Sequence, residues 1–355
     1  MATVFTVIIV LGVLILVHEL GHFLLAKVFK VKIEKFSLGF GPRIWSKVVG
    51  ETEYRISAVP LGGYVKLFGE NPGETIEADE KVRSFIHKKL WQRGLIIAAG
   101  PFSNLIFAFF IFFITFMIFG QPTLPATIGG VQDGLPAQVA GLKPGDRITH
   151  INGRPLKEWD ELAGMVRKGG KQPLDIYAVR DGKTFRVQIT PVITTHRNIF
   201  GEEVTVPVIG ISASDDIIMD RMNPVEAFVA GIDRTGKIVY ITYVSIIKLV
   251  QRIVPISTLG GPILIAQLAG EQAQAGVVPL LFFMALLSIN LGVLNLLPIP
   301  ILDGGHLLFL GIELILGRPV SLKKREIAQQ VGLVILISLM AVVFYNDILR
   351  LLVKG

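Results

Sequence analysis

Cysteine is missing from all 355 residues. That excludes a disulfide framework and any thiolate metal site, so a metal held by this chain must be bound through His, Asp or Glu. Charge is scarce as well. Asp, Glu, Lys and Arg make up 18% of the residues against 51% hydrophobic, and the mean hydropathy is +0.60, a balance found in membrane proteins rather than soluble ones. The formal net charge is +7, yet no basic run is interleaved with aromatics, so the footprint of a nucleic-acid binder is lacking. Much of the excess flanks apolar segments, where anionic lipid headgroups are the natural counterpart. Internal repeats and low-complexity tracts are also absent.

What is present is a set of long apolar runs. Thr3 to Ala26 has no charged leader and exceeds the h-region of a signal peptide, so a retained transmembrane helix is expected there. A bilayer core about 30 Å thick needs about 20 apolar residues per helix, and three further segments approach that length: Gly94 to Phe119, Val277 to Leu297, and Ile327 to Tyr345. Residues 27 to 93 hold 13 Lys+Arg against 8 Asp+Glu, and Arg318, Lys323, Lys324 and Arg325 follow the third run. By the positive-inside rule these loops are cytoplasmic. The expected topology is four spans with both termini outside and Gln121 to Gly276 external.

The first span contains His18-Glu19-Leu20-Gly21-His22. Ionisable residues within a span are rare and point to function. Residues four apart on a helix share a face, so both imidazoles can bind one metal while Glu19, one step round, reaches a water beside it. Zinc in hydrolytic sites takes three protein ligands and lowers the pKa of its water to about 7. A third ligand is therefore required. The best candidate is Asp303, in Asn295-Leu-Leu-Pro298-Ile-Pro300-Ile-Leu-Asp303-Gly304-Gly305-His306, where prolines and glycines break an apolar helix. Irregular backbone survives at membrane depth only when buried in protein or lining a wet cavity. Asn295 could hydrogen-bond a substrate backbone or the tetrahedral oxyanion, or equally cap the broken helix. His306 could orient Asp303 or simply sit at the interface, and stays outside the ligand set. Glu271 and Glu313 are alternative third ligands, but neither lies in a Gly/Pro-broken segment.

Between the second and third spans, Gly134-Leu-Pro-Ala-Gln-Val-Ala-Gly141-Leu-Lys-Pro-Gly145-Asp146 runs into alternating apolar residues and the Asn152-Gly153 turn, a strong hairpin signal. From about Pro125 to Val192 this resembles a bacterial PDZ domain, a class that binds extended chains at an open sheet edge. A small β domain that binds nothing and only hinders bulky neighbours fits equally well. Further on, Asn223-Pro224 reads as a helix start, followed by an apolar stripe through Phe228, Ile232, Val239, Tyr243, Ile246 and Val250. Lys237 and Lys248 leave only a ten-residue uninterrupted run, so an amphipathic helix is expected, lying on the outer membrane surface or, alternatively, packed against the PDZ-like module.

Taken together, the motifs resemble the site-2 proteases, intramembrane zinc metalloproteases, and in particular the bacterial RseP/RasP type with a single PDZ domain. The resemblance rests on His18-Glu-x-x-His22, Gly39-Phe-Gly-Pro42, Pro60-Leu-Gly-Gly-Tyr-Val-Lys66, Gly100-Pro-x-x-Asn104, the PDZ-like insert, and Asn295-x-x-Pro-x-Pro-x-Leu-Asp303-Gly304, in that order along the whole chain. It implies a polytopic α-helical membrane fold of about four transmembrane helices, with a membrane-associated β element and an inserted extracytoplasmic PDZ-like domain. The expected parts are a membrane domain over 1–120, a PDZ domain over 121–200, a linker with the amphipathic helix over 201–275, and a second membrane domain over 276–355. The resemblance further implies Zn²⁺ as cofactor on His18, His22 and Asp303, Glu19 as catalytic base, and Asn295 on the substrate backbone. Substrates would be single-span membrane proteins such as anti-sigma factors, cut after another protease has removed their outer domain, in a bacterial inner membrane. Some members carry two PDZ domains in tandem, whereas one is found here. The segment Tyr54 to Leu67, with an apolar tip at Val59, Pro60 and Leu61, reads as a hairpin meeting the membrane. Two other classes compete: a non-catalytic membrane PDZ scaffold, and an ion or proton transporter using the intramembrane His, Glu and Asp as a relay.

Overall fold

A computed structural model describes residues 2–70 and 76–354. In chain order the elements are α1 (Ala2–Val28), β1 (Ile33–Val49), β2 (Thr52–Leu67), α2 (Leu90–Phe119), β3 (Gln121–Thr123), β4 (Ile128–Val131), α3 (Pro136–Val139), β5 (Arg147–Ile151), β6 (Arg154–Pro155), α4 (Trp159–Gly169), β7 (Leu174–Arg180) and β8 (Lys183–Ile189). They continue with β9 (Val192–Arg197), β10 (Glu203–Val208), β11 (Ile211–Ala213), β12 (Ile218–Asp220), α5 (Pro224–Val250), α6 (Pro262–Ala275), α7 (Val277–Asn295), α8 (Asp303–Leu316) and α9 (Leu322–Lys354). Two compact units result. One comprises Met1–Ile114, Val229–Ile247 and Pro255–Gly355, the other Thr115–Phe228 and Lys248–Val254.

In the first unit, four helices are long and apolar enough to cross a membrane: Thr3–Val28, Leu90–Phe119, Val277–Asn295 and Leu322–Val353. They match the four apolar runs of the sequence, and the last extends further at both ends than the run itself. Val334, Ile335 and Ile337 of α9 are each more than half exposed. Such a surface is costly in water and natural against lipid tails. Where α1 meets α2, side chains are pared away: a Cβ on Gly21 would overlap the Ala99 carbonyl and the Ser103 hydroxyl. Ala26, Val31, Ile33, Leu67 and Ile96 form a buried cluster beside this contact and tie the β1–β2 sheet to both helices.

The sheet itself departs from expectation. The hairpin turn lies at Gly50 and Glu51, between β1 and β2, not within Tyr54 to Leu67. Residues 35–38 pair on one side with 53–56 and on the other with 63–66, while 43–49 pair back onto 52–57. The two arms of the predicted hairpin therefore flank β1 instead of each other. Small residues permit this: a Cβ on Gly62 would enter the Phe40 ring, which stacks on Tyr64 at 6.2 Å. Of the expected apolar tip, Val59 is exposed, and the side chains of Pro60 and Leu61 lie outside the described residues.

Two short helices were not anticipated, because α6 and α8 are each 14 residues long, too short to give a spanning signal. The start of α6 is held by the buried Asp347 of α9, whose carboxylate accepts from the backbone N–H groups of Gly261 (2.9 Å), Ile263 (3.0 Å) and Leu264 (3.1 Å). An acidic side chain at a helix N-terminus satisfies donors that have no partner in the helix. The third apolar run ends as a helix at Asn295. The broken segment follows, and α8 begins at Asp303. Gly304 and Gly305 are required there, since a Cβ on either would strike the carbonyls of Leu296, Leu297 or Ile299.

The second unit has its own core of Ile128, Ile148, Ile151, Leu162, Leu174, Ile176 and neighbours, covered by α4 and a four-stranded sheet of order β6-β5-β7-β8. Asn152 and Gly153 both take positive φ (51° and 76°) at the β5–β6 turn, as an Asn-Gly hairpin requires. Residues beyond 200 belong to this core too: Ile209 is buried in it, and β11 pairs with β4. The region read as linker from 201 thus supplies strands, which local composition alone does not show because their partner lies some eighty residues earlier. The start of α5 is as expected, with Asn223 Oδ1 accepting from the Val225 and Glu226 N–H groups at 3.0 Å each and Glu226 accepting from the Asn223 N–H at 2.9 Å.

Asp146 is fully buried and is chelated by Arg180 (2.6 and 2.8 Å) and by the Lys143 N–H (2.8 Å). Burial alone would raise its carboxyl; the Arg180 guanidinium and the Lys143 N–H outweigh that and hold it below the ordinary carboxylate range. A folded pKa below the unfolded value of about 3.9 means stability that is full above that value and lost as pH falls through the folded pKa. Asp146→Asn in a fragment spanning 121–213 should lower the melting temperature at pH 7 by about 5 °C or more. Thermal scans should show the gap to the parent closing below about pH 4.

Candidate metal centre

His18 and His22 stand one turn apart on α1, and the start of α8 brings Asp303 to them. The two Nε2 atoms are 3.3 Å apart, and Asp303 Oδ2 lies 3.1 Å from that of His18 and 3.5 Å from that of His22. These three ligand atoms form the one such His/Cys/Asp/Glu group among the described residues. Ligands about 2.0 to 2.1 Å from a tetrahedral zinc are about 3.3 Å from each other, so the observed separations match the edges of that polyhedron. A second observation agrees: Asp303 Oδ2 is buried and has no aligned hydrogen-bond donor despite its two near neighbours. The three atoms converge on a common point, with the two imidazole nitrogens within hydrogen-bond distance of each other and the carboxylate oxygen facing both. The donor set of two imidazoles and a carboxylate fits zinc, and the first turn of α8 favours the carboxylate's negative charge.

The surrounding chain is shaped to this triangle. His22 Nδ1 lies 2.8 Å from the Ile96 carbonyl, which fixes the proton there and leaves Nε2 as the lone-pair nitrogen. A Cβ on Gly100 would overlap the His22 imidazole and come within 2.9 Å of His18 Cε1. Glu19 lines the same cavity of about 570 Å³, together with Tyr64, Val65, Arg93, Asp303, His306 and Arg325. Strand β2 passes directly beside Glu19: a Cβ on Gly63 would sit 3.1 Å from Glu19 Cγ, and Val65 makes a backbone hydrogen bond to its carboxylate.

Other sequence candidates fall elsewhere. Glu313 forms a buried ion pair with Arg93, linking α8 to α2, and Glu271 is exposed on α6. Neither joins the triangle. His306 lines the cavity, whereas Asn295 is the half-buried last residue of α7 and is not among the lining residues. Three residues that the sequence reading quoted only as parts of motifs, with no role at the site, line it: Gly63 beside Glu19, Gly100 against both imidazoles, and Asn104 near His18. The available signal was an asparagine inside an apolar span, four residues after a glycine.

Residues 6–339 match the model of peptidase family M50, and the chain belongs to that family, the site-2 proteases. It is 38% identical to a "Putative zinc metalloprotease" of Campylobacter jejuni, covering 97% of this chain and 93% of that one. A protein of the same descriptive name from Agrobacterium fabrum is 33% identical over 97% and 95% of the two chains. The protein named "Regulator of sigma-E protease RseP" of Salmonella typhimurium is 31% identical, with 97% and 98% covered. Among solved structures, the PDZ domain of an SdrC-like protein from Listeria monocytogenes aligns over 25% of this chain and 87% of its own, at 25% identity and TM-score 0.21. The chain is thus a membrane metalloendopeptidase of the zinc-dependent, site-2 type.

Gly100→Ala should displace the imidazoles and lower zinc retained after dialysis to well under half of one equivalent, measured by elemental analysis of the purified protein. Retention of a full equivalent would show that the helices can part at no cost to the site.

Proposed function

We propose that this protein cuts the transmembrane segments of single-span membrane proteins, such as anti-sigma factors, within the bilayer. His18, His22 and Asp303 would hold the zinc, and Glu19 would move the protons. The observation that carries this reading is the convergence of the three ligand atoms beside a glutamate in an apolar helix. When bound there, zinc supplies Lewis acidity, polarising a carbonyl and acidifying a water. Glu19 takes the proton from the attacking water and delivers it to the departing amine. Asn295 contacts the substrate backbone once the chain is seated. A scaffold or a transporter has no need of a complete ligand triangle with its own base.

A helical substrate must first unwind, and its freed N–H and C=O groups are costly in hydrocarbon unless new partners appear. Residues 63–67 form the outer arm of the sheet, with β1 on one side and no described strand on the other. An extended substrate can add to that edge as a further strand, and the same arm runs past Glu19. The positive charge of the loops of 27–93 and 318–325 supports a cytoplasmic side for them, with the PDZ-like region outside, in an inner membrane. Substrates shortened by an earlier protease suit a site inside the bilayer.

In purified protein, Glu19→Gln should keep zinc and lower cleavage of a single-span model substrate at least about 100-fold, read by gel and by mass mapping of the cut. Turnover equal to the parent would remove Glu19 from its role. Asp303→Asn should lose most of its zinc and all cleavage; an unchanged metal content would count against this ligand.

A further inference from the structure

We infer that Asn104 is a positioning residue of the metal site, its side-chain carbonyl accepting the Nδ1–H of His18 and so turning the Nε2 lone pair toward His22 and Asp303. This rests on the metal-binding reading above. Asn104 is completely buried on α2, and its amide lies 3.3 Å from His18 Nδ1. The two ends of an amide have the same shape, so the hydrogen bonds decide which end faces the ring. The outward end of the amide is buried and has no partner, whichever of the two atoms stands there, so the choice rests on what the ring nitrogen needs. With Nδ2 toward the ring, His18 Nδ1 would have to accept, forcing the ring proton onto Nε2, among the other ligand atoms. With Oδ1 toward the ring, Nδ1–H has an acceptor and Nε2 is free to bind a metal.

The spacing on α2 supports the same conclusion. His22 is oriented by the Ile96 carbonyl at 2.8 Å. Ile96, Gly100 and Asn104 are successive positions four apart, hence one face of the helix. That face presents an acceptor for one imidazole, a gap where both rings pass, and an acceptor for the other. The third helix of the site fixes its height: the Ser288 hydroxyl of α7 donates to the Asn104 backbone carbonyl at 2.8 Å, and both residues are fully buried. α7 in turn leads into the broken segment that ends at Asp303.

The test compares the full-length parent, Asn104→Leu and Asn104→Asp, purified in detergent. All three side chains are of similar size, and only Leu lacks an acceptor. Zinc affinity is read by competition with a chromophoric chelator, and the His18 tautomer by ¹⁵N NMR of labelled imidazoles in the metal-free protein. The Leu variant should bind zinc about 10 to 100-fold more weakly and show His18 in mixed tautomers. The Asp variant should keep both properties near the parent. A packing role gives the reverse order, with Leu tolerated and a buried Asp disruptive, and that order overturns the inference. So does parental affinity with an unchanged tautomer in Asn104→Leu. Should the Leu variant not fold, Asn104→Ala is read in the same way. If the parent binds no zinc while its His18 tautomer still follows residue 104, the metal reading fails and the hydrogen bond stands.

Discussion

The close approach of α1 and α2 is the constraint on which the rest of the site depends. Two imidazoles one turn apart on α1 can aim at a common point only if the neighbouring helix leaves room for their rings and offers acceptors for their other nitrogens. α2 does both. Gly21 lets the backbones near each other, Gly100 leaves the space, and the Ile96 carbonyl holds one ring. A larger residue at either glycine would part the helices or rotate the rings, and the triangle with Asp303 would open. Helix pairs in lipid gain little from burying apolar area, so small residues and interhelical hydrogen bonds have to hold them together.

The third candidate ligand comes from the other end of the chain by a different device. Asp303 does not sit within a continuous helix but at the start of one, after a segment that carries two prolines. Breaking the helix here frees backbone groups that must be satisfied within the protein. The glycines after Asp303 let the new helix pack against the carbonyls of the break. Farther along α8, the Arg93–Glu313 ion pair ties the same helix back to α2. Severing a buried pair of this kind leaves an unpaired charge and is strongly destabilising. Asp303 is thus held at its own end by packing and along its helix by charge.

How much of this was legible in the sequence differs by element, and the differences have causes. The four spans were plain because about twenty apolar residues in a row leave little ambiguity. The candidate ligands were also readable, since ionisable groups and helix breakers stand out against an apolar background, and the structure brings His18, His22 and Asp303 together. The arrangement of β1 and β2 was not. Alternation and a Gly-Gly pair mark an extended segment, but whether residues 54 to 67 fold on themselves or around a third segment depends on long-range pairing. The strand at Ile211 was hidden for the same reason, and α6 and α8 fell below the length at which hydropathy speaks. Asn104 was visible as a residue and invisible as a contact, because nothing local links it to a histidine on another helix.

The sheet and the metal centre are usually separate problems for a protease, one of holding the substrate and one of cutting it. Here a single glycine joins them. Gly63 lies on the outer arm of the sheet, paired with Leu38, and the space a side chain would fill there is taken by Glu19 and Ile15 of α1 and by the Ser37 carbonyl. The arm can therefore run against α1 at the level of the histidines, with Val65 hydrogen-bonded to the same glutamate. A chain added to this edge would be extended and in register with the sheet. Its carbonyls would be spaced by the strand repeat instead of a helix, and one of them would come past Glu19. On the proposed function, unwinding and presentation would be the same event, because the hydrogen bonds that replace those of the substrate helix would also fix where its backbone lies.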